Sequence, residues 1–179
     1  MKSQVKFEGI GLHSGAPVCV VLRPAPANAG IVFRRTDVAG HPTLRALWSD
    51  VVVSPLNTRL TNASGVTVST IEHLMAALAG CGVHNVIIDI DGPEVPILDG
   101  SAASFVRGIV EAGLTRLSAP LRAIEILRDV TVSDGTAVAR LSPATTLQIA
   151  FEIDFADAAI GRQKKTLNMA NGAFIREIC

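Results

Sequence analysis

One stretch narrows the fold more than any other. Residues 69–80, Ser-Thr-Ile-Glu-His-Leu-Met-Ala-Ala-Leu-Ala-Gly, read as a helix, and Val86-Ile87-Ile88-Asp89-Ile90 reads as a β-branched strand after a short turn. Ile71, Leu74, Met75 and Leu78 recur at the spacing of one buried helical face. Ser69 and Glu72 stand at the capping-box spacing, which predicts a helix over Ser69–Gly80. At about 100° per residue, His73 points nearly opposite the apolar face, among Ala76, Ala77 and Gly80. Small neighbours let another element or a ligand approach the imidazole. Glu72 and His73 thus place a carboxylate beside an imidazole in the first helical turn. Taken alone, such a pair is a capping carboxylate and a solvated histidine, because one histidine does not make a metal site.

Two other segments alter that reading. Gly9-Ile10-Gly11-Leu12-His13-Ser14-Gly15 precedes the helix, and Pro93-Glu94-Val95-Pro96-Ile97-Leu98-Asp99-Gly100-Ser101 follows the strand. In this order and spacing, the three segments resemble the UDP-3-O-acyl-N-acetylglucosamine deacetylases, the zinc amidases of lipid A biosynthesis. The resemblance runs from about Val5 to the C-terminus. It implies that His73 is a zinc ligand and Glu72 the general base. The reaction implied is hydrolysis of the N-acetyl group of UDP-3-O-(3-hydroxyacyl)-N-acetylglucosamine, releasing acetate. Zinc lowers the pKa of bound water to about 7, and a neighbouring carboxylate can take its proton.

The family draws its other two zinc ligands from a His-Lys-x-x-x-Asp word in a second domain, and its general-acid histidine from further on. Neither is in this sequence, whose histidines are His13, His41, His73 and His84. With one ligand of about three, this chain is expected neither to hold zinc tightly nor to turn over substrate alone. Asp99 falls near His73 in the family fold and is expected to orient the imidazole; its alternative reading is a turn residue before the Ser101 helix. Glu94 and His13 read as structural. Leu56 and Thr58 fall where the family holds its acyl chain and sugar, and are not ranked as sites.

Composition excludes several other classes. Hydrophobic residues make up 49% and charged residues 18%, which is globular rather than disordered. Lysine plus arginine and aspartate plus glutamate number 16 each, with no basic block, so nucleic acid is not an expected partner. Cys19, Cys81 and Cys179 show no C-x-x-C spacing. An odd count without a leader-like N-terminus points to a reducing compartment, and the expected location is cytoplasmic. The apolar region from His73 to Ile90 is interrupted by Gly80, Gly82, His84 and Asn85, so no transmembrane segment is expected. The expected partner is an amphiphilic UDP-sugar, with peripheral contact to the inner membrane face.

Along the chain, strands are expected at Val5–Gly9, Val18–Leu22 and Ile31–Arg34, the last antiparallel to the second. The family implies a small inserted sheet over about 37–60. A second helix is predicted over Ser101–Ala112, capped by Ser101 and closed by Gly113. After a linker to Pro120 the pattern restarts. Leu141-Ser142-Pro143 and Ile149–Glu152 echo Leu22-Arg23-Pro24 and Ile31–Arg34, which suggests an internal duplication. Strands are expected near Ala123–Leu127, Ala137–Leu141 and Leu147–Ile153, and a helix from Asn171.

The fold class is therefore α+β. Residues 1–117 form a two-layer β-α-α-β sandwich (ribosomal protein S5 domain 2-like), and residues 118–179 the incomplete start of a second copy. The competing expectations are a non-catalytic binding module on the same fold and a hydrolase whose missing ligands come from a second chain.

Overall fold

A computed structural model describes residues 1–169 together with Ala173 and Phe174. The chain forms two compact units, one over Met1–Ala119 and the other from Pro120 onward.

The first unit is built on a five-stranded sheet. Its strands are β1 (Val5–Ile10), β2 (Pro17–Pro24), β3 (Ile31–Arg35), β4 (Thr43–Arg45) and β8 (Val86–Ile90), in the order β1-β2-β8-β3-β4. All neighbours are antiparallel except β3 and β8, which run parallel. The expected pairing of Ile31–Arg34 with Val18–Leu22 is corrected, because β8 lies between them. The reason is in β8 itself. Val86, Ile88 and Ile90 are fully buried on one face and Asp89 is buried on the other. A strand apolar on nearly every residue gains most at the centre of a sheet.

One face of the sheet carries the core. Phe7, Val20, Ile90 and Leu22, Ile88, Phe33, Leu44 follow one another across the strands in register. Two helices cover them, α1 (Glu72–Gly80) through Leu74, Ala77 and Leu78, and α2 (Ala103–Ala112) through Phe105, Val106 and Ile109. Phe7 and Phe105 meet edge to face with ring centroids 4.9 Å apart. On the opposite face Asp89 accepts from Arg34 Nε (2.6 Å) and Nη2 (2.8 Å) and from Arg23 Nε (2.6 Å). Burial opposes its charge, but Arg34 and Arg23 outweigh it and hold the carboxyl below its ordinary value.

Both helices start later than the sequence predicts. The Ser69–Glu72 capping box does not form: the residue before α1 is Ile71, and no side chain caps the helix. The Ser69 hydroxyl instead accepts from Arg59 Nε at 2.9 Å. Likewise α2 begins at Ala103, and the Ser101 hydroxyl accepts the Ala103 N–H at 3.1 Å. The end of α1 is as expected. Gly82 has φ 68°, Gly82 N–H donates to Ala79, and Val83 N–H reaches back to Leu78 at 2.8 Å.

The insert is also displaced from its expected span of about 37–60. Thr43–Arg45 joins the main sheet as β4. The small antiparallel sheet is β5 (Val51–Val52), β6 (Arg59–Thr61) and β7 (Thr67–Val68), in that order.

In the second unit, β9 (Val130–Asp134) pairs with β10 (Ala137–Leu141), and β11 (Gln148–Asp154) with β12 (Arg162–Asn168), both antiparallel. The strand expected at Ala123–Leu127 is absent, and those residues carry no regular structure. The hairpin instead closes on Gly135-Thr136, with Gly135 at φ 55°. Glycine at the first central position suits a two-residue hairpin turn with positive φ there, and β9 ends directly before it at Asp134. The helix expected from Asn171 lies outside the described residues except for Ala173 and Phe174, which are helical.

Gly108 shows how tightly α2 sits on β1. A Cβ added there would lie 2.7 Å from Phe7 Cζ and 3.0 Å from Val5 Cγ2. The Phe7 ring cannot swing freely because Phe105 holds it. Overpacking costs about 1–3 kcal/mol, whereas alanine gains about 1 kcal/mol in helix propensity. Gly108→Ala is therefore expected to lower stability by up to about 2 kcal/mol, read as a lower urea midpoint at unchanged slope. A raised midpoint would contradict this packing.

Candidate active site

The carboxyl ends of β1 and β8 lie at the same edge of the sheet, because both are antiparallel to β2. The segments that follow them meet each other and the start of α1. Gly11 bridges Pro96, and Ile97 N–H donates to Ile10. Ser69 bridges Glu94: Ser69 N–H donates to Pro93 (2.9 Å) and Val95 N–H to Ser69 (3.0 Å). The three segments singled out in the sequence are thus one spatial cluster.

Glu94 joins them. It is 3% exposed. Its Oε1 accepts the His13 N–H at 3.0 Å and the Thr70 hydroxyl at 2.8 Å. Its Oε2 accepts the N–H groups of His13 (3.2 Å) and Ser14 (2.8 Å). Burial opposes ionisation of this carboxyl. Hydrogen bonds from the His13 N–H, the Ser14 hydroxyl and N–H and the Thr70 hydroxyl outweigh it and lower the pKa from 4.5 to about 2. The site also explains Gly11, where a Cβ would stand 2.5 Å from Glu94 Oε2. Thr70 and Leu98, which flank the cluster in sequence, have φ of 56° and 52°, in the left-handed region that side chains other than glycine seldom adopt.

Glu72 and His73 open α1. Glu72 is half-buried, and its Oε2 accepts the Thr58 N–H at 3.0 Å. Thr58 also accepts from the Ile71 N–H at 3.4 Å, so the insert is tied to the start of the helix at two points. Glu72 Oε1 makes no hydrogen bond among the described residues. His73 is half-buried, and its imidazole makes no hydrogen bond among the described residues. Ser54 Oγ and Asn57 Oδ1, in the loop before Thr58, are buried atoms without a partner among the described residues.

Asp99 is exposed and serves the α2 start. Its Oδ1 accepts the Ser101 N–H (3.1 Å) and hydroxyl (2.9 Å), and its Oδ2 the Ser104 hydroxyl (3.2 Å). The Ser101 backbone and hydroxyl, with Ser104, hold its carboxyl below the ordinary value. No hydrogen bond joins Asp99 to His73 among the described residues. His13, His41 and His84 are exposed. His13 contributes through its backbone, by the N–H bonds to Glu94.

Among the described residues, no group of three or more His, Cys, Asp or Glu stands close enough to hold a metal ion. A catalytic zinc takes about three protein ligands. The described residues bring one donor, His73, beside one proton acceptor, Glu72, and by themselves do not fit a zinc ion. No helix among them is long and apolar enough to cross a membrane.

A model of the family described as UDP-3-O-acyl N-acetylglycosamine deacetylase matches residues 1–179. The chain belongs to this family. Among its relatives is the UDP-3-O-acyl-N-acetylglucosamine deacetylase of Phenylobacterium zucineum. It is 49% identical over 179 residues, covering 99% of this chain and 61% of that protein. The proteins of the same name from Photobacterium profundum and Pseudoalteromonas atlantica are 43% and 42% identical over 180 residues; each match covers 99% of this chain and 59% of the relative. The chain therefore spans about three fifths of the length of these curated relatives.

Sequence pattern singles out Glu72, His73 and Asp99 but not the residue that binds the deacetylase-family segments together. The available signal is an acid between two prolines in an otherwise apolar run, Pro93-Glu94-Val95-Pro96-Ile97. Its backbone donors lie some 80 residues away in sequence, and the Thr70 hydroxyl 24. Glu94 has a folded-state pKa below its unfolded value, so its contribution to stability is full above about pH 4.5 and falls as the pH approaches 2. That contribution is on the order of 3 kcal/mol. Acid titration of the chain is expected to lose stability in this window, with Glu94→Gln flattening the profile there. A wild-type slope retained in Glu94→Gln would assign the acid sensitivity elsewhere.

Proposed function

We propose that this chain is the N-terminal part of a zinc-dependent amidohydrolase that removes the N-acetyl group of a UDP-3-O-acyl-N-acetylglucosamine in lipid A biosynthesis. The observation carrying this reading is the Glu72–His73 pair at the start of α1, with one carboxylate oxygen tied down and the imidazole unengaged, in a chain of this family. The Thr58 N–H holds Oε2 and fixes the carboxyl plane. Oε1 is then available to take a proton from the attacking water. His73 supplies one ligand. The remaining donors come from the sequence that the relatives carry beyond the matched part. Zinc, when bound, activates the water and polarises the amide carbonyl. Asp99, whose carboxylate is held by Ser101 and Ser104, is proposed as the turn residue that orders the start of α2.

The same reading extends to the architecture. Residues 1–117 are proposed as a complete β-α-α-β domain of the ribosomal protein S5 domain 2-like kind, with the insert in it, and residues 118–179 as the opening of a second copy. The strand pairing supports this. In the first unit β1 pairs with β2 and β3 with β4; in the second β9 pairs with β10 and β11 with β12, all antiparallel. The reaction places the protein in the cytoplasm. Its amphiphilic substrate brings it to the membrane face.

A non-catalytic module on this fold is the competing reading, favoured by the incomplete ligand set among the described residues. One experiment separates the two. The chain is completed with the C-terminal remainder of the Phenylobacterium zucineum relative and assayed for acetate release. Glu72→Gln is expected to lower kcat by about 10²–10⁴-fold, and His73→Ala to lose both activity and bound zinc. Activity unaffected by both substitutions and by chelation would end the deacetylase reading.

A further inference from the structure

Helix α1 carries no side-chain cap, so something other than an N-cap must set where it begins and how Glu72 and His73 leave it. The residues just before it are held from outside. Ser69 is pinned by two backbone hydrogen bonds to the Pro93–Val95 segment. Thr70, 1% exposed, has φ 56°. A β-branched residue is strained in that region and stays there only where its surroundings fix it. The Thr70 hydroxyl donates to Glu94 Oε1 at 2.8 Å. Glu94 cannot follow Thr70 if it moves, because the backbone N–H groups of His13 and Ser14 hold the same carboxylate. Those two residues belong to a turn closed by bonds from Gly11 N–H to Ala16 and from Gly15 N–H to Gly11, both 3.0 Å.

We propose that Glu94 is a positioning residue that acts through the Thr70 hydroxyl: it locks the left-handed backbone before α1 and thereby the direction in which Glu72 and His73 project. The inference deepens the deacetylase reading and rests on it for its consequence in catalysis, but its structural part stands apart from that reading. The carboxylate is the fixed point. Thr70 is the lever between it and the helix, and the Thr58 contact to Glu72 depends on the helix starting where it does.

The test uses Thr70→Val, which keeps the shape and removes the hydroxyl, with Thr70→Ser as the rescue. In the 179-residue chain, amide hydrogen exchange is followed at Met75, whose N–H donates to Ile71 in the first turn of α1 at 2.9 Å, and at Ile88 in the central strand. Thr70→Val is expected to speed exchange at Met75 by about tenfold and leave Ile88 unchanged; Thr70→Ser is expected to restore Met75. Thr70→Ala removes the same hydroxyl with less bulk, and it must show the same local pattern if the valine variant does not fold. Unchanged exchange at Met75, or equal acceleration at Met75 and Ile88, would overturn the proposal. In the completed chain described above, Thr70→Val is expected to lower kcat about tenfold with KM unchanged, since only the projection of the reacting groups is altered. Unaltered kcat in an active protein would overturn the catalytic part. If Glu72→Gln leaves acetate release intact while the exchange pattern holds, the general-base role of Glu72 fails and the positioning of α1 stands.

Discussion

A carboxylate removed from water must find several donors or give up its charge, and Glu94 resolves this by drawing donors from two distant parts of the chain. That requirement explains features that look unrelated in the sequence. Position 11 has no side chain because the Ser14 hydroxyl and the Glu94 carboxylate occupy the space a Cβ needs. Residue 70 carries a hydroxyl and bears a left-handed backbone because its partner lies on that side. The turn containing His13 offers two successive N–H groups to one anion. Its imidazole stays exposed because the turn is used for its backbone.

The sheet order is what lets one carboxylate reach all of these. With β8 between β2 and β3, the chain leaves β8 at the edge where β1 also ends. The loop after β8 then has only to cross this edge to touch both the turn after β1 and the residues before α1. Had β3 paired with β2, β8 would have been displaced outward and the loop carried away from β1. The apolar character of Val86–Ile90 therefore does more than fill a core. By claiming the central position it determines which loops become neighbours.

These two levels are not equally legible in the sequence. β8, the glycine-terminated end of α1 and most core residues of the two helices depend on residues close in sequence, and local pattern locates them; Ala77, expected beside His73 on the small-residue face, is instead fully buried with Leu74 and Leu78. The start of α1 does not follow local pattern. Ser69 and Glu72 have the right spacing for a capping box, but Arg59 takes the hydroxyl and the Thr58 N–H takes the carboxylate. Capping is worth about 1 kcal/mol, and a tertiary hydrogen bond to a charged group is worth more. The neighbour of β3 is hidden for a similar reason, since its parallel partner lies beyond the whole insert and α1. In the second unit the Gly135-Thr136 turn joins β9 and β10, and the apolar run at Ala123–Leu127 lies outside any strand.

The placement of Glu72 and His73 also limits what the pair can do. Adjacent helical side chains diverge by about 100°, so the two cannot converge on one ion as residues four apart can. Glu72 turns toward the insert, where the Thr58 N–H occupies one of its oxygens. A carboxylate held at one oxygen and open at the other is suited to accepting a proton. An imidazole without an internal partner is suited to donating its lone pair to something outside the described residues. The division of labour assigned to these two side chains under the proposed function is compatible with their adjacency. If the pair serves one reaction, the two groups act on different atoms of it, and a metal site built on His73 would draw its other donors from elements other than α1.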